Sequence, residues 1–216
     1  MMGQASFDLI VIGAGQAGPF LAAKLAHAGK KVALIEARQL GGTCVNRGCT
    51  PTKTLRKSAR VAYMARRAAE FGVDVGPVTV NFGVAMARMR KRITDARTGL
   101  EGWLGALPGL TIHYAHGQLA GRDGADFIVQ AGEHTLRAPQ VVLNTGTRSF
   151  MPPIPGLSTV PALDSEGLLA LDELPKKLVI IGGGYISLEM AQIFRRLGAE
   201  VSVIENNPRL TSREDL

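Results

Sequence analysis

The sequence is short of the residues that several common classes of function require. Its 216 residues include two cysteines, four histidines and one tryptophan, and aromatic residues make up 5% of the chain. A zinc site needs about four ligands, and no histidine lies at ligand spacing from the cysteines, so we predict no metal site. No apolar run is long enough to span a bilayer, and residues 1–7 lack the basic region of a secretory signal. We therefore expect a cytoplasmic protein without a membrane partner.

Acidic residues are scarce in one long segment. Between Lys53 and Arg92, ten lysines and arginines accompany only Glu70 and Asp74, in a chain of formal net charge +7. A basic run of this kind can indicate nucleic-acid binding. Here the basic residues lie on two helical patterns rich in alanine and methionine, without the interleaved aromatic side chains of a stacking platform. We interpret them as solvated helix faces and expect no nucleic-acid partner.

A glycine-rich turn follows an apolar strand at residues 8–12. Gly13 permits a tight turn, Gly15 lets the backbone approach a pyrophosphate, and Gly18 allows the next helix to pack closely on the strand. That helix is predicted to run to about residue 27, and a second strand at 32–35 ends in Glu36. A carboxylate there can accept hydrogen bonds from an adenosine ribose. The turn residues predicted to contact a dinucleotide are Gly13, Ala14, Gly15 and Gly18.

The same pattern returns 169 positions later. Gly182 and Glu205 are separated by 23 positions, as Gly13 and Glu36 are, and a strand pattern at 178–181 precedes the second turn. This internal repeat of a dinucleotide-binding unit predicts two nucleotides on one chain. Ser187 replaces the third glycine of the turn, and its small side chain is expected to preserve the packing of helix on strand.

Helices and then short strands are predicted between the two units. Apolar residues recur at helical spacing over 55–69 and 85–100, and residues 78–82 have an extended pattern. Four short strands follow, with turn residues at 121–124. They are predicted at 111–114, 126–130, 135–137 and 141–144.

Both cysteines lie in one glycine-rich stretch, Gly41-Gly42-Thr43-Cys44-Val45-Asn46-Arg47-Gly48-Cys49-Thr50-Pro51-Thr52-Lys53. A disulfide between them would close a very small loop and stabilise little, whereas disulfides in cytosolic proteins tend to be catalytic. A redox role is therefore our interpretation. The stretch resembles the redox-active disulfide motif of the class I pyridine nucleotide-disulfide oxidoreductases. That family includes dihydrolipoyl dehydrogenase, glutathione reductase and mercuric reductase.

The resemblance implies an α/β fold of two Rossmann-like nucleotide-binding units with a three-stranded β-meander. Residues 1–156 would form an FAD-binding domain, with a helical insertion at about 50–104 and the meander at about 110–140. Residues 157–216 would begin a truncated NAD(P)H-binding domain. Because only the front half of the family pattern is matched, we expect a fragment without the C-terminal interface domain, and a homodimer at full length. The alternative is a non-catalytic flavin-binding remnant.

The resemblance also implies a mechanism, in which a hydride passes from nicotinamide to FAD and electrons then pass to a Cys44–Cys49 disulfide. Cys49 would lie next to the flavin and Cys44 would attack the substrate. Lys53 would lie beside the flavin ring with Glu189 as its ion-pair partner, and Tyr185 would cover the nicotinamide pocket. The further FAD contacts implied are Glu36, Gly42, Thr43, Gly117, Thr145 and Gly146. The nicotinamide contacts implied are Gly182, Gly184, Tyr185, Ile186, Glu189 and Glu205.

Some residues depart from the family pattern. Asn144 stands where alanine is usual, and because the backbone makes the flavin contact there, we expect a minor effect. Arg47 replaces a small apolar residue, and Thr50 and Thr52 also differ. The Thr-Pro-Thr-Lys and Pro-Pro-Ile-Pro-Gly segments are most similar to mercuric reductase-like members, so we expect a small-molecule, disulfide or metal-ion substrate.

The nicotinamide cofactor is predicted from the acid that ends the second unit. The Glu205 carboxylate would repel a 2′-phosphate, so NADH is expected over NADPH. Arg209 and Arg213 are the arginines near enough to oppose this preference.

Overall fold

The computed structural model describes residues 5–212, a range that excludes Arg213. Six α-helices lie within it: α1 Ala17–His27, α2 Gly42–Arg47, α3 Cys49–Arg66, α4 Phe82–Gly105, α5 Ser165–Leu169 and α6 Tyr185–Leu197. The strands are β1 Ala5–Ser6, β2 Leu9–Ile12, β3 Val32–Glu36, β4 Leu110–Tyr114, β5 Gly117–Asp123, β6 Asp126–Ala131, β7 His134–Ala138, β8 Val141–Leu143, β9 Lys177–Ile181 and β10 Glu200–Ile204. Short 3-10 helices occupy Ala68–Phe71 and Leu157–Thr159.

A parallel sheet of order β4-β3-β2-β8 carries the first predicted unit. Every residue of β2 is buried, as expected for a parallel strand that is covered on both faces. Side chains alternate along it: Leu9 and Val11 pack with the alanines of α1, while Ile10 and Ile12 point to the opposite face.

The predicted three-stranded meander is present as β5, β6 and β7, paired antiparallel. Strand β1 adds to it in parallel beside β7, which makes a second sheet of four strands. The inner face of this sheet buries Val129 and Leu136 against Ile10 and Ile12 of the first sheet. One core cluster therefore lies between the two sheets, and a second lies on the other face of the first sheet, against α1.

Several sequence-based assignments of secondary structure were wrong. The extended pattern at 78–82 ends before Phe82, the first residue of α4, and the Asn81 side chain caps this helix by accepting a hydrogen bond from Val84 N at 3.0 Å. Strand β5 was not predicted. Its Gly121 lies at a register shift in the pairing with β6 and not in a turn.

One predicted strand belongs to a different sheet. Strand β4, which the prediction grouped with the meander, pairs in parallel with β3 and so extends the first sheet. The predicted helical stripe through Ala69 also ends early, because α3 stops at Arg66 and Ala69 lies in a 3-10 helix.

The second predicted unit consists of the parallel pair β9 and β10 with α6. The buried side of α6 presents Met190, Ile193, Phe194 and Leu197. Phe194 also packs against Phe82 at a ring-centroid distance of 6.1 Å. The Arg90 guanidinium on α4 also donates a hydrogen bond to the Asp172 carboxylate, in the segment between α5 and β9, at 2.7 Å.

The chain forms two compact units. One unit comprises residues 1–49 and 93–162, and the other 50–92 and 163–216. Residues 50–92, which are part of the helical insertion predicted at about 50–104, belong to the same compact unit as the second βαβ unit. The assignment of a flavin to residues 1–156 and a nicotinamide to 157–216 remains a prediction. Over residues 5–212, none of the helices has the length and apolarity needed to cross a membrane.

Candidate functional site

Backbone N–H groups of the first glycine turn donate hydrogen bonds to the end of β3 and to Glu36, the acid that was predicted to bind ribose. Gly13 has φ +103°, and its N–H donates to Ile35 O at 2.7 Å. Ala14 N donates to Glu36 Oε2 at 2.8 Å, and Arg38 N donates to Glu36 Oε1 at 2.7 Å. The chain itself therefore fixes both oxygens of the carboxylate at the carboxyl end of the sheet. In α/β folds this edge is where nucleotides bind.

The second turn repeats these bonds 169 positions later. Gly182 has φ +100°, and its N–H donates to Ile204 O at 2.8 Å. Gly183 N donates to Glu205 Oε2 at 2.5 Å, and Asn207 N donates to Glu205 Oε1 at 2.7 Å. The internal repeat seen in the sequence is thus a repeat of individual hydrogen bonds.

Asn207 also binds Glu205 through its side chain. Its side-chain Nδ2 donates to Glu205 Oε1 at 2.7 Å. The hydrogen bond from Asn207 N, followed by that from Gly183 N, lowers the pKa of the Glu205 carboxyl below its usual value. Glu205 is therefore held as a carboxylate in a fixed orientation, and sequence reasoning overlooked the role of Asn207.

The cysteine stretch is anchored on the first glycine turn. Gly41 N donates to Ala14 O at 2.8 Å, and the Gln16 side chain donates to Gly41 O at 3.3 Å. A Cβ on Gly42, which has φ +55°, would lie 2.7 Å from Gly15 Cα. Only glycine allows this approach. It places the start of α2, two residues before Cys44, directly against the turn.

Cys44 lies on α2 and Cys49 is the first residue of α3. Gly48 separates the two helices, and a Cβ on it would lie 3.3 Å from Cys44 Cα. Both cysteines are thiols in the structure, Cys44 half-buried and Cys49 exposed, so the predicted disulfide is not formed here. Its formation remains a prediction.

Asn46 lies between the cysteines and has an unused buried acceptor. Its Nδ2 donates to Leu40 O at 2.9 Å and to Gly42 O at 3.0 Å. Its Oδ1 is buried and has no hydrogen-bond partner within residues 5–212, and buried polar atoms are normally paired. The glycine cradle of Gly13, Gly15 and Gly42 together with this acceptor fits a dinucleotide whose hydroxyl groups can donate.

Lys53 and Glu189 form the predicted pair. Lys53 Nζ donates to Glu189 Oε1 at 2.6 Å, with 62% and 25% of the two side chains exposed. Lys53 lies four residues after Cys49 in α3, hence on the same helix face. Tyr185 lies one turn before Glu189 in α6 and is 67% exposed. Ile186 follows it and is also exposed, and Gly184 is the residue before the helix.

The remaining predicted contacts lie on three different segments. Thr43 is exposed on α2. A Cβ on Gly117, at the start of β5, would lie 2.8 Å from Ile12 Cγ2, so packing alone already requires glycine there. Thr145 and Gly146 follow β8, and Gly146 has φ +71°.

The minor effect expected at Asn144 remains a prediction, but its side chain makes contacts that the sequence did not indicate. Its Nδ2 donates to Gly13 O at 3.1 Å, and its backbone N donates to Ile12 O at 2.7 Å. A Cβ on Gly18 would lie 2.9 Å from Asn144 Nδ2. The departure from alanine could have drawn attention to this residue, but only the fold shows what the amide touches.

Comparisons with known proteins agree with this arrangement. The family model described as pyridine nucleotide-disulphide oxidoreductase matches residues 7–215. The chain is 39% identical to a dihydrolipoyl dehydrogenase of Chlamydia trachomatis over 95% of this chain and 44% of that protein. It is 34% identical to a mercuric reductase of Shigella flexneri, over 97% of this chain and 38% of that protein.

Among solved structures, the HOCl-induced flavoprotein disulfide reductase RclA from Escherichia coli superposes with a TM-score of 0.82 at 34% identity. The match covers 97% of this chain and 44% of RclA. The chain thus spans less than half the length of these relatives. The family match over almost the whole chain and the repeated nucleotide-binding turns lead to one conclusion: the chain belongs to the pyridine nucleotide-disulphide oxidoreductase family, in its class I branch.

Proposed function

We propose that the chain is the front part of an FAD-dependent NAD(P)H:disulfide or metal-ion oxidoreductase. The observation that carries this proposal is the join between Ala14 O and Gly41 N at 2.8 Å. It links a dinucleotide-binding turn directly to the stretch that holds both cysteines. The family supports FAD binding. In our proposal the first turn holds FAD, the second begins the nicotinamide site, and the complete protein is a homodimer.

The chain's own residues would bind and orient the cofactor. The N–H groups at the start of α1 would meet the pyrophosphate, and Glu36, already fixed by two N–H donors, would accept from the ribose hydroxyls. Asn46 Oδ1 offers a further acceptor beside the cysteines. When bound, FAD would supply the two-electron relay between a nicotinamide and the cysteine pair.

The cysteines would carry the substrate chemistry by thiol–disulfide exchange. After two-electron reduction, the Cys44 thiolate attacks one sulfur of a substrate disulfide and releases the first substrate thiolate. The Cys49 thiolate then attacks the Cys44 sulfur, re-forms the Cys44–Cys49 disulfide and releases the second thiolate, and protons come from solvent. Each cycle oxidises one nicotinamide and reduces one disulfide.

A soft metal ion is the second substrate class. Relatives named mercuric reductase favour it. Thiolates are the ligands that soft metal ions prefer. A pair of thiols at one site can therefore bind such an ion before it is reduced.

The first experiment asks whether the purified chain holds a flavin. We expect a yellow protein, or a yellow protein after incubation with FAD, that releases one flavin per chain on denaturation. A colourless protein that releases none after reconstitution would contradict the proposal. In the complete protein, NADH oxidation coupled to a small aromatic disulfide, to lipoamide or to Hg²⁺ then separates the substrate classes.

A further inference from the structure

The Asn144 side chain lies behind the first glycine turn. Asn144 directly follows β8, which pairs with β2, and its N–H donates to Ile12 O at 2.7 Å. The side-chain amide then reaches forward to Gly13 O at 3.1 Å. Two hydrogen bonds thus tie one residue to both the last residue of β2 and the first residue of the turn.

The turn encloses this amide closely. Cβ atoms added to Gly15 and Gly18 would lie 3.3 Å and 2.9 Å from Asn144 Nδ2. The amide therefore fills the space between the turn and the first residues of α1. Because carbonyl oxygens only accept hydrogen bonds, the group that faces Gly13 O has to be a donor.

We propose that Asn144 is a positioning residue for the dinucleotide site, whose side-chain amide holds the glycine turn closed on the end of β2. The inference rests on the proposed binding of FAD at this turn. It adds a residue that joins two parts of that site, because Asn144 directly precedes Thr145 and Gly146, the segment predicted to contact the flavin. Contact of FAD with the glycine turn would then favour the geometry of residues 145–146 that FAD also needs, and contact with residues 145–146 would favour the geometry of the turn.

Two substitutions test the donor. Asn144→Ala removes it, and Asn144→Asp keeps the shape but places an oxygen against Gly13 O. We expect FAD binding about tenfold weaker for Asn144→Ala and about a hundredfold weaker for Asn144→Asp at pH 8, because a partly buried acceptor loses its donor and, in Asn144→Asp, faces a second acceptor. Protonated aspartate regains a donor, so the deficit of Asn144→Asp should shrink toward pH 5 while that of Asn144→Ala stays constant.

Gln118→Glu is the matched control. It makes the same change from amide to carboxylate on an exposed side chain of β5 in the same compact unit. We expect it to bind FAD as the unaltered chain does at both pH values. Equal FAD affinity of the unaltered chain and both Asn144 variants would overturn the inference.

A second measurement keeps the two proposals apart. Without ligand, amide hydrogen exchange at residues 13–18 should be several-fold faster in both Asn144 variants than in Gln118→Glu and the unaltered chain. If the unaltered chain binds no FAD, the proposed function fails and this exchange pattern alone decides whether the amide holds the turn. Unchanged exchange at residues 13–18 in both variants would show that it does not.

Discussion

Lys53 Nζ lies 2.6 Å from Glu189 Oε1, which joins the beginning of α3 to the helix that follows the second glycine turn. The two residues are 136 positions apart in the sequence. The pair is largely exposed on the lysine side, where water screens the attraction. It is therefore a weak source of stability and a better candidate for a functional role.

Lys53→Ala should separate these two roles. We expect the free energy of unfolding of the chain to change by less than about 1 kcal/mol, as for other exposed pairs. In the complete protein, flavin reduction by NADH should slow at least about tenfold, because a charge near the developing negative charge is lost. Urea unfolding and stopped-flow absorbance measure the two effects, and Lys53→Arg should recover part of the rate. A large loss of stability with normal reduction would contradict this assignment.

The two cysteines should behave differently in the flavin-loaded chain. Cys49→Ala should abolish the long-wavelength thiolate-to-flavin absorbance on partial reduction, because the proposal puts Cys49 next to the flavin. Cys44→Ala should retain a version of this band. Thiol titration of the unaltered chain should give two thiols after reduction and none after oxidation. Identical spectra of the two variants would contradict the assignment of Cys49 as the cysteine next to the flavin.

Gly42→Ala should destabilise the chain through two separable effects. The position has φ +55°, and the new methyl group would meet Gly15 Cα. Gly29→Ala provides the control, because Gly29 has φ +78° with nothing within 4 Å of its added Cβ. We expect a loss of about 1 kcal/mol for Gly29→Ala from backbone strain and about 3 kcal/mol for Gly42→Ala from strain and overpacking. Equal losses in urea unfolding would show that the turn yields to the methyl group.

Glu205 should decide the choice of nicotinamide cofactor in the complete protein. Its carboxylate is held by Gly183 and Asn207, and it would accept from ribose hydroxyls but repel a 2′-phosphate. Arg209 donates to Ser212 O at 3.3 Å. If its side chain turned toward a 2′-phosphate, its positive charge would oppose the repulsion by Glu205. We expect faster and tighter flavin reduction with NADH than with NADPH, and a narrower difference in Glu205→Ala. A preference for NADPH in the unaltered protein would show that other residues override the acid.

His113 should make the stability of the first compact unit depend on pH. Its Nε2 is buried without a hydrogen-bond partner within residues 5–212, and the His134 ring lies 5.3 Å away. Burial, and then the charge of His134, lowers the pKa of His113 below its usual value. The unfolded chain therefore takes up this proton first as the pH falls. The contribution of His113 to the free energy of unfolding is fully present above about pH 6.5, and it is lost as the pH falls toward the lower pKa of the folded state.

Two variants test this dependence by urea unfolding between pH 5 and 8. His113→Phe should remove part of the loss of stability at low pH, since phenylalanine carries no titratable group into the same site beside Phe7. His27→Gln, on the exposed last turn of α1, should keep the dependence of the unaltered chain. The same slope in His113→Phe and His27→Gln would contradict the role of His113.

The sequence by itself determined the two βαβ units, the repeat between them and the redox reading of the cysteine stretch. These features depend on local chemistry: Gly13 and Gly182 both have a positive φ, Glu36 ends β3, and Glu205 directly follows β10. The Lys53–Glu189 pair also followed from the sequence, but only through the resemblance to a family. No local pattern links residues 136 positions apart.

The tertiary structure alone decided where β4 pairs, which elements residues 50–92 pack with, and what Asn144 touches. A short strand such as β4 carries the same alternating pattern in either sheet, so its partner depends on how the chain closes around the core. The Asn144 amide reaches Gly13 O because β8 lies beside β2, and sequence spacing does not show which strands are neighbours in a sheet. Hydrogen bonds of this kind are made between segments far apart in the chain, and only the packed fold brings their atoms within reach.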